Sequence, residues 1–509
     1  MKKILSILLA SMALSSCTSD FLEVDPTVTT PTENYYDTPD KMEKALVAAY
    51  APLQWFDFTY SEYHPLQFVC DIMADDYNGV GGSSEGDIPW LHLTYQYRLN
   101  PEQAPIGLWD SLYNGVYRAN QVVNNIDKCP TLSAASRNRI LAEARTLRAF
   151  YYHILWKLWG NIPYYTVNPD GNDIDYIVPQ KTAAEVYRLI MEDLDFATTP
   201  GFLPEAVTVA EVGRFNKFAA YMLRANVIML AGDQSKYASA LQQVKEIIGS
   251  GIYALTPIFA DIWTDAGEWN CESIFEINYS DNPSNRDWNH TLSPGGTIYP
   301  TVLTPASYKG TKLHSEGYGF GPVNPALYQA YEAGDQRRDG GILNFAAVCT
   351  GDSYTPRVAD SGYFNYKYIA RAGGNSAFPG TEGAEFNFRN NTRVYRYAEA
   401  LLIAAELTVR TGGSQTEADD LLNTVRARAF STTLSELPAD RRRAATLDNL
   451  LEENRLEFAL EGHRFFDLVR FGKDTEVLAP RGYTPSKRYL PIPQSEIDRA
   501  EGTLNQNPY

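Results

Sequence analysis

The chain has 509 residues, of which 44% are hydrophobic and 21% charged, the proportions of a globular protein rather than a disordered one. Its formal net charge of −18 gives a surface that repels a phosphate backbone, which excludes non-specific nucleic-acid binding. At roughly 150 residues per domain the length allows about three domains, or one large interwoven one. Tyr (34) outnumbers Phe (22), and a ring with a polar tip serves partly exposed contact surfaces as well as cores.

The chain opens with Lys2 and Lys3, the apolar run Ile4 to Leu14, and Leu14-Ser15-Ser16-Cys17. A basic start, an apolar run and small residues before a cut site make a secretory signal over residues 1–16. The run is far short of the ~20 residues that span a bilayer. Small residues leading into Cys resemble a bacterial lipobox, which would make Cys17 the acylated first residue of an exported, lipid-tethered protein; the alternative is an ordinary signal peptide with a coincidental cysteine. Residues 17–38, rich in Thr, Pro and Asp, then form a tether. Thr38-Pro39-Asp40 supplies an N-cap, a proline at the first helical position and an acid in the first turn of a helix reaching Tyr50.

The clearest helix runs from about Arg137 to Trp159, with apolar Ile140, Ala144, Leu147, Tyr151, Ile154 and Leu158 alternating by four and three. Thr182-x-x-Glu185 is a capping box opening a helix to about Ala197. Further helices are expected over 217–230, 236–248, 392–410, 417–430 and 447–471. Two pairs, 217–230 with 236–248 and 392–410 with 417–429, are joined by short Gly-containing turns and suggest tetratricopeptide-like hairpins. The long irregular stretches 55–105 and 255–390 are rich in Gly, Pro, Asn, Tyr and Trp, and loops of that length in a compact protein are usually functional.

Catalytic and metal motifs find little support. Gly82-x-Ser84-x-Gly86 matches a nucleophile elbow, which needs a strand before it and a helix after it; here an acidic, Gly-rich stretch and Pro89 flank it. Glu457, Glu461, Arg464, Asp467 and Arg470 read as a structural charge ladder along one helix rather than metal ligands. With six His in the chain no His-Glu-x-x-His helix exists. Neither Gly79-x-Gly81-Gly82 nor Gly317-x-Gly319-x-Gly321 continues into a phosphate-binding loop. Cys70, Cys129, Cys271 and Cys349 include no Cys-x-x-Cys and are taken as mostly buried, small apolar groups. No metal, cofactor or catalytic residue is expected. The remaining signal is aromatic: Trp55, Trp90, Trp263, Trp269 and Trp288 fall in the loop-rich regions, where flat rings beside Asp, Asn and Arg suit a neutral sugar. For any one ring a local mini-core is the competing explanation.

Ordered motifs along the whole chain resemble the SusD/RagB family of Bacteroidetes surface lipoproteins. They are Cys17 with Asp20-Phe21-Leu22-Glu23, Tyr117-Arg118-Ala119-Asn120, Glu143-Ala144-Arg145 through Tyr151-Tyr152 to Gly160-Asn161-Ile162-Pro163, and Tyr397-Ala398-Glu399-Ala400. Glu453-Asn454-Arg455 through Gly462-His463-Arg464, Leu490-Pro491-Ile492-Pro493 and Asn507-Pro508-Tyr509 complete the series. The resemblance implies a mostly α fold over 39–509, in which tetratricopeptide-like helix pairs (mainly 39–54, 105–250 and 390–475) form a scaffold carrying a loop-rich ligand-binding face (mainly 55–105 and 255–390). It also implies a non-enzymatic, lipid-anchored receptor at the outer membrane that passes an oligosaccharide to a SusC-like TonB-dependent transporter. Carried onto this chain, the ligand contacts would be Asp76, Tyr77, Trp90, Trp288 and Tyr299, with the rings as stacking platforms and Asp76 accepting sugar hydroxyls. An oligopeptide ligand, held by backbone hydrogen bonds along a strand edge, and an exported helical glycoside hydrolase, with two carboxyls ~5–9.5 Å apart in one cleft, are the alternatives.

Overall fold

The computed structural model describes residues 35–59, 62–168, 178–280, 286–314, 317–375, 384–386 and 388–509; the expected signal, Cys17 and most of the tether lie outside them. The protein is mostly helical. Helix α1 (Pro39–Tyr50) starts as its sequence dictates, with the Thr38 hydroxyl accepting from Lys41 N. It packs on α2 (Ile106–Asn125), which packs on α3 (Ala134–Trp159), and the array continues through α4 (Ala183–Ala197), α5 (Lys217–Ala231) and α6 (Tyr237–Gly249). Helix α6 then meets α7 (Tyr397–Arg410), which pairs with α8 (Gln415–Ala429) and with α9 (Leu447–Phe458). Each helix buries its apolar stripe on the next, the tetratricopeptide-like arrangement.

The central helix α3 is buried on more than one side because α2 and α4 flank it. Its predicted stripe, Ile140 to Leu158, is all in the core. Its other face buries polar groups, and two of them are paired ions: Glu143 accepts from Arg214 Nε at 2.8 Å and from the Tyr50 hydroxyl at 2.9 Å, and Arg148 is bidentate on Asp193 at 2.7 Å. Buried ions persist when such partners replace water. At α4 both halves of the capping box form, Glu185 N to Thr182 Oγ1 at 3.3 Å and Thr182 N to Glu185 Oε2 at 2.9 Å.

Two expected helices are corrected. Residues Thr392–Arg396 are a strand, not the first turns of α7; Thr, Val and Tyr suit a pleated strand, and it pairs antiparallel with Ser273–Ile277. The helix expected over 447–471 breaks into α9 and α10 (Arg464–Arg470), with Leu460 and Gly462 both at positive φ between them. Gly462 N donates to the buried Asp71 carboxylate at 2.9 Å, and a Cβ on Gly462 would lie 3.1 Å from Gln67 Cα, so the chain turns where only glycine fits closely. The charge ladder is therefore not one exposed helix stripe. Glu457 instead accepts from Arg396 at 2.8 Å, Arg337 at 3.2 Å and Arg428, while Glu461 takes Arg396 at 2.8 Å and Lys367 at 2.7 Å, all of these groups being buried. Burial alone would raise the Glu457 carboxyl; the surrounding guanidiniums of Arg428, Arg396 and Arg337 hold it well below the usual carboxylate range.

The largest hydrophobic cluster runs from Tyr36 to Leu504 and takes in helices and loops together. Among the cysteines Cys70, Cys129 and Cys349 are buried thiols, whereas Cys271 is exposed. Among the described residues no helix is long and apolar enough to cross a membrane.

Candidate functional site

The loop-rich region is built from short paired segments. Strand β1 (Phe58–Thr59) pairs with β2 (Glu62–Tyr63). The stretch 77–82 pairs with 319–323 through Asn78 N to Pro322 O (2.8 Å), Gly321 N to Val80 O (2.8 Å) and Gly82 N to Gly319 O (3.2 Å). At Gly81 (φ +88°) a Cβ would lie 2.4 Å from Gly319 O, so the two stretches approach this closely only without a side chain there.

The ring cluster that reaches the surface centres on Trp288. Its indole stands edge-on to Phe58 (centroids 5.4 Å, interplanar 89°) and to Phe386 (4.9 Å, 80°), with Tyr63 at 6.2 Å. Tyr63 in turn meets Phe58 at 4.8 Å and Tyr318 at 6.1 Å. Phe58 and Phe386 are buried, Tyr63 and Tyr318 half-buried, and Trp288 is 39% exposed. Edge-to-face packing satisfies the ring quadrupoles, and Trp288 still keeps part of its surface open to solvent.

Arg286 holds this cluster in place. Its guanidinium is buried and bidentate on Asp57, and it also donates to Phe58 O (2.8 Å), Gly296 O (2.9 Å) and, through Nε, to Thr291 O (3.0 Å), while stacking over Phe386 at 5.5 Å. Asp57 also accepts from Thr297 Oγ1 at 2.7 Å and Ile298 N at 2.9 Å. One side chain thus ties β1, the Trp288 segment and Phe386 together. Glu62 fastens β2 to the scaffold by accepting from Gly107 N, in the first turn of α2, at 2.6 Å. Burial pushes its carboxyl up to about 7 against the pull of the Gly107 and Ile106 N–H groups. Burial also raises both Tyr63 and Tyr318, the latter to about 12, and the acidic Glu385 adds to both.

Of the five expected ligand residues, the structure brings Trp288 alone to the surface. Asp76 is fully buried and accepts from Arg455 Nε and Nη2 at 2.8 Å. Tyr77 (1% exposed) and Tyr299 (4%) meet in the interior near Asp71, with Tyr77 taking a hydrogen bond from Asn365 Nδ2 at 3.2 Å. Trp90 (6%) lies not in a loop but in the first turn of the short helix Pro89–Tyr95, where it is part of the core. Burial closes Asp76, Tyr77 and Tyr299 to a surface ligand. Tyr63, Tyr318, Phe58, Phe386 and the Arg286–Asp57 pair were not legible as a group: five chain segments meet here, and the one local signal was an aromatic residue in each of them.

The other motifs resolve locally. Ser84 sits in an exposed turn and accepts from Gly86 N at 3.2 Å, with neither the strand nor the helix of an elbow. Among the described residues no group of three or more His, Cys, Asp or Glu side chains is placed to hold a metal ion. A pocket of about 150 Å³ lies between α3, α5, α7, α10 and the 392–396 strand, and Asp57 and Thr297 of the network behind Trp288 line part of it.

The chain is similar to known proteins over most of its length. A family model described as "SusD family" matches residues 344–509, and one described as "Starch-binding associating with outer membrane" matches residues 20–229. A surface glycan-binding protein A from Bacteroides thetaiotaomicron, solved in complex with laminarihexaose, is 39% identical, with a TM-score of 0.85 over 93% of this chain and 100% of that one. A laminarin-binding SusD-like protein is 29% identical, with a TM-score of 0.82 over 93% and 100% of the two chains. A SusD-like protein of Formosa agariphila is 25% identical over 97% of both chains.

Proposed function

This chain belongs to the SusD family, and on that premise we propose that it is a non-catalytic surface receptor for a laminarin-type glycan. The observation that carries the reading is Trp288: an exposed indole, backed by buried rings and a buried arginine, on a fold shared with a protein solved around laminarihexaose. A sugar ring offers flat C–H faces and a rim of hydroxyls. The exposed Trp288 ring takes the first, and the hydroxyls of the neighbouring, half-buried Tyr63 and Tyr318 take the second. The rigid backing means little side-chain entropy is lost on binding.

In this reading the chain is exported, cut before Cys17 and acylated there, so that it faces outward from the outer membrane. It hands its ligand to a SusC-like TonB-dependent transporter and performs no hydrolysis. Affinity electrophoresis of the purified protein in gels containing laminarin tests the central claim. Retardation that Trp288→Ala abolishes supports it. Laminarin inert in the gel, with binding heat from an oligopeptide digest, replaces it with peptide capture. Release of reducing ends from laminarin restores the enzyme alternative.

A further inference from the structure

We propose that the cavity between α3, α5, α7 and α10 is a second ligand site, built for a small zwitterion such as an amino acid of glycine or alanine size. It does not depend on the glycan reading of the Trp288 surface. The cavity has a volume of about 150 Å³. An apolar cavity of that size stays dry and takes benzene, a molecule of about six non-hydrogen atoms. This one has polar walls. Glu399 (4% exposed) accepts from Asn226 through Oε1, and Asp467 (6%) accepts from Arg470 through Oδ1. Their second oxygens, Glu399 Oε2 and Asp467 Oδ2, are buried without a hydrogen-bond partner among the described residues, as are Gln67 Oε1 and His153 Nδ1. All four side chains line the cavity. Buried polar atoms of this kind cost stability until a donor or acceptor reaches them.

The charges on the cavity wall decide what kind of molecule fits. Most are spent on partners within the protein. Asp57 is paired with Arg286, Glu461 with Arg396 and Lys367, and Asp467 with Arg470, which also holds Glu406. Arg393 donates to Asn391 O and Thr264 O and lies 3.7 Å from Glu276. Burial lowers both His153 and His463, which keeps the two imidazoles neutral. One acid and one base remain. Among the described residues Glu399 has no cation within ion-pair distance, and Lys157, whose Nζ lies 4.7 Å from the Phe466 ring centroid, has no acid within it. Burial outweighs the pull of Asn226 and of the Arg396 charge and pushes the Glu399 carboxyl up to about 8. Glu399, Lys157 and Phe466 all line the cavity.

A molecule with an ammonium at one end and a carboxylate at the other answers both groups without burying net charge. Glu399 Oε2, Asp467 Oδ2 and Gln67 Oε1 are the acceptors available to its N–H groups, and the Lys157 ammonium is available to its carboxylate. Water would supply hydrogen bonds but no countercharge. Lys157, Leu230 and Arg470 are partly exposed wall residues on α3, α5 and α10, and entry is expected between these helices.

Calorimetry and thermal unfolding of the purified protein test this with glycine, L-alanine, β-alanine and 4-aminobutyrate, against ethylammonium, propionate, propionamide and benzene. The expected result is binding and a raised Tm with at least one zwitterion, and binding of ethylammonium and propionate weaker by about tenfold or more. Glu399→Gln and Lys157→Met should each weaken that zwitterion by about tenfold or more, while Trp288→Ala leaves it unchanged. Stabilisation by benzene alone overturns the proposal, because the cavity is then dry. Silence from every zwitterion also overturns it and leaves the cavity to ordered water. Zwitterion binding that survives both cavity variants, or that is lost with Trp288→Ala, places the ligand elsewhere and overturns it too. If one cavity variant does not fold, the other decides alone.

Discussion

Arg286 and Asp57 stand 229 residues apart in the chain and meet as a buried bidentate pair, Nη2 to Oδ1 at 2.7 Å and Nη1 to Oδ2 at 3.2 Å. Two residues beyond Arg286 is Trp288, and one beyond Asp57 is Phe58, the ring against which Trp288 stands edge-on. The ion pair therefore sets the distance between the exposed indole and its backing. Asp57→Ala leaves a buried guanidinium without its counter-charge, which should cost about 3–5 kcal/mol. Urea denaturation measures that cost, and laminarin affinity should fall with it because the platform loses its mount. A variant as stable as wild type would mean the pair does not hold this surface together.

Trp288 and Trp90 should behave oppositely. Trp288→Ala removes a ring that is 39% exposed and should weaken laminarin binding by about 2 kcal/mol, roughly 30-fold, with little change in stability. Trp90→Ala empties a core position that is 6% exposed and should cost about 3–5 kcal/mol of stability. Paired calorimetric and thermal-unfolding measurements distinguish the two. Loss of laminarin affinity by a still-folded Trp90→Ala would return Trp90 to the ligand site.

Glu399 in α7 gives a stability signature in pH. Its carboxyl is buried, accepts from Asn226 Nδ2 at 2.8 Å, and is pushed up to about 8 chiefly by burial. The folded value lies above the carboxyl's ordinary value of 4.5, so the carboxyl's favourable contribution is complete below pH 4.5 and is lost as pH rises to 8. Glu399→Gln keeps an acceptor for Asn226 and carries no charge. It should match wild type near pH 4.5 and exceed it near pH 8 by on the order of 1–3 kcal/mol. Urea midpoints across that range check this, and parallel curves for the two proteins would refute it.

Glu457 has the opposite sign. Its depressed carboxyl stabilises the fold above the usual carboxylate range, and that contribution disappears as pH falls through its folded value. Glu457→Gln strips charge from a site shared by Arg396, Arg428 and Arg337 and should cost about 3–5 kcal/mol at neutral pH. The variant should also lose less stability than wild type on acidification. An unchanged denaturation midpoint at neutral pH would mean the network contributes nothing net.

Local signals read well wherever local chemistry decides structure. The Thr38 and Thr182 caps and the α3 stripe form as expected, because a helix end satisfies its own N–H and C=O groups within a few residues. The reading failed where distant partners compete. Thr392–Arg396 carries a pattern that fits a helix or a strand, and the strand wins because Ser273–Ile277 offers a ladder. The apolar and charged periodicity of 447–471 is continuous, yet the chain breaks at Leu460 and Gly462 to bring Glu457 and Glu461 to arginines and a lysine from other segments.

The sequence by itself determined the family, the helical scaffold, its caps, and the aromatic character of the loop regions, since each is written in neighbouring residues or in ordered motifs. Only the tertiary structure decided which aromatic residues face solvent. Asp76, Tyr77, Trp90, Tyr299 and Trp288 all lie in the same kind of Gly- and Tyr-rich stretch, and nothing within a few residues of each distinguishes core from surface. Exposure is a property of what packs on the other side. Arg455 covers Asp76 from 379 positions away and Asn365 covers Tyr77 from 288, whereas Phe58 and Phe386 pack against Trp288 and leave it 39% exposed.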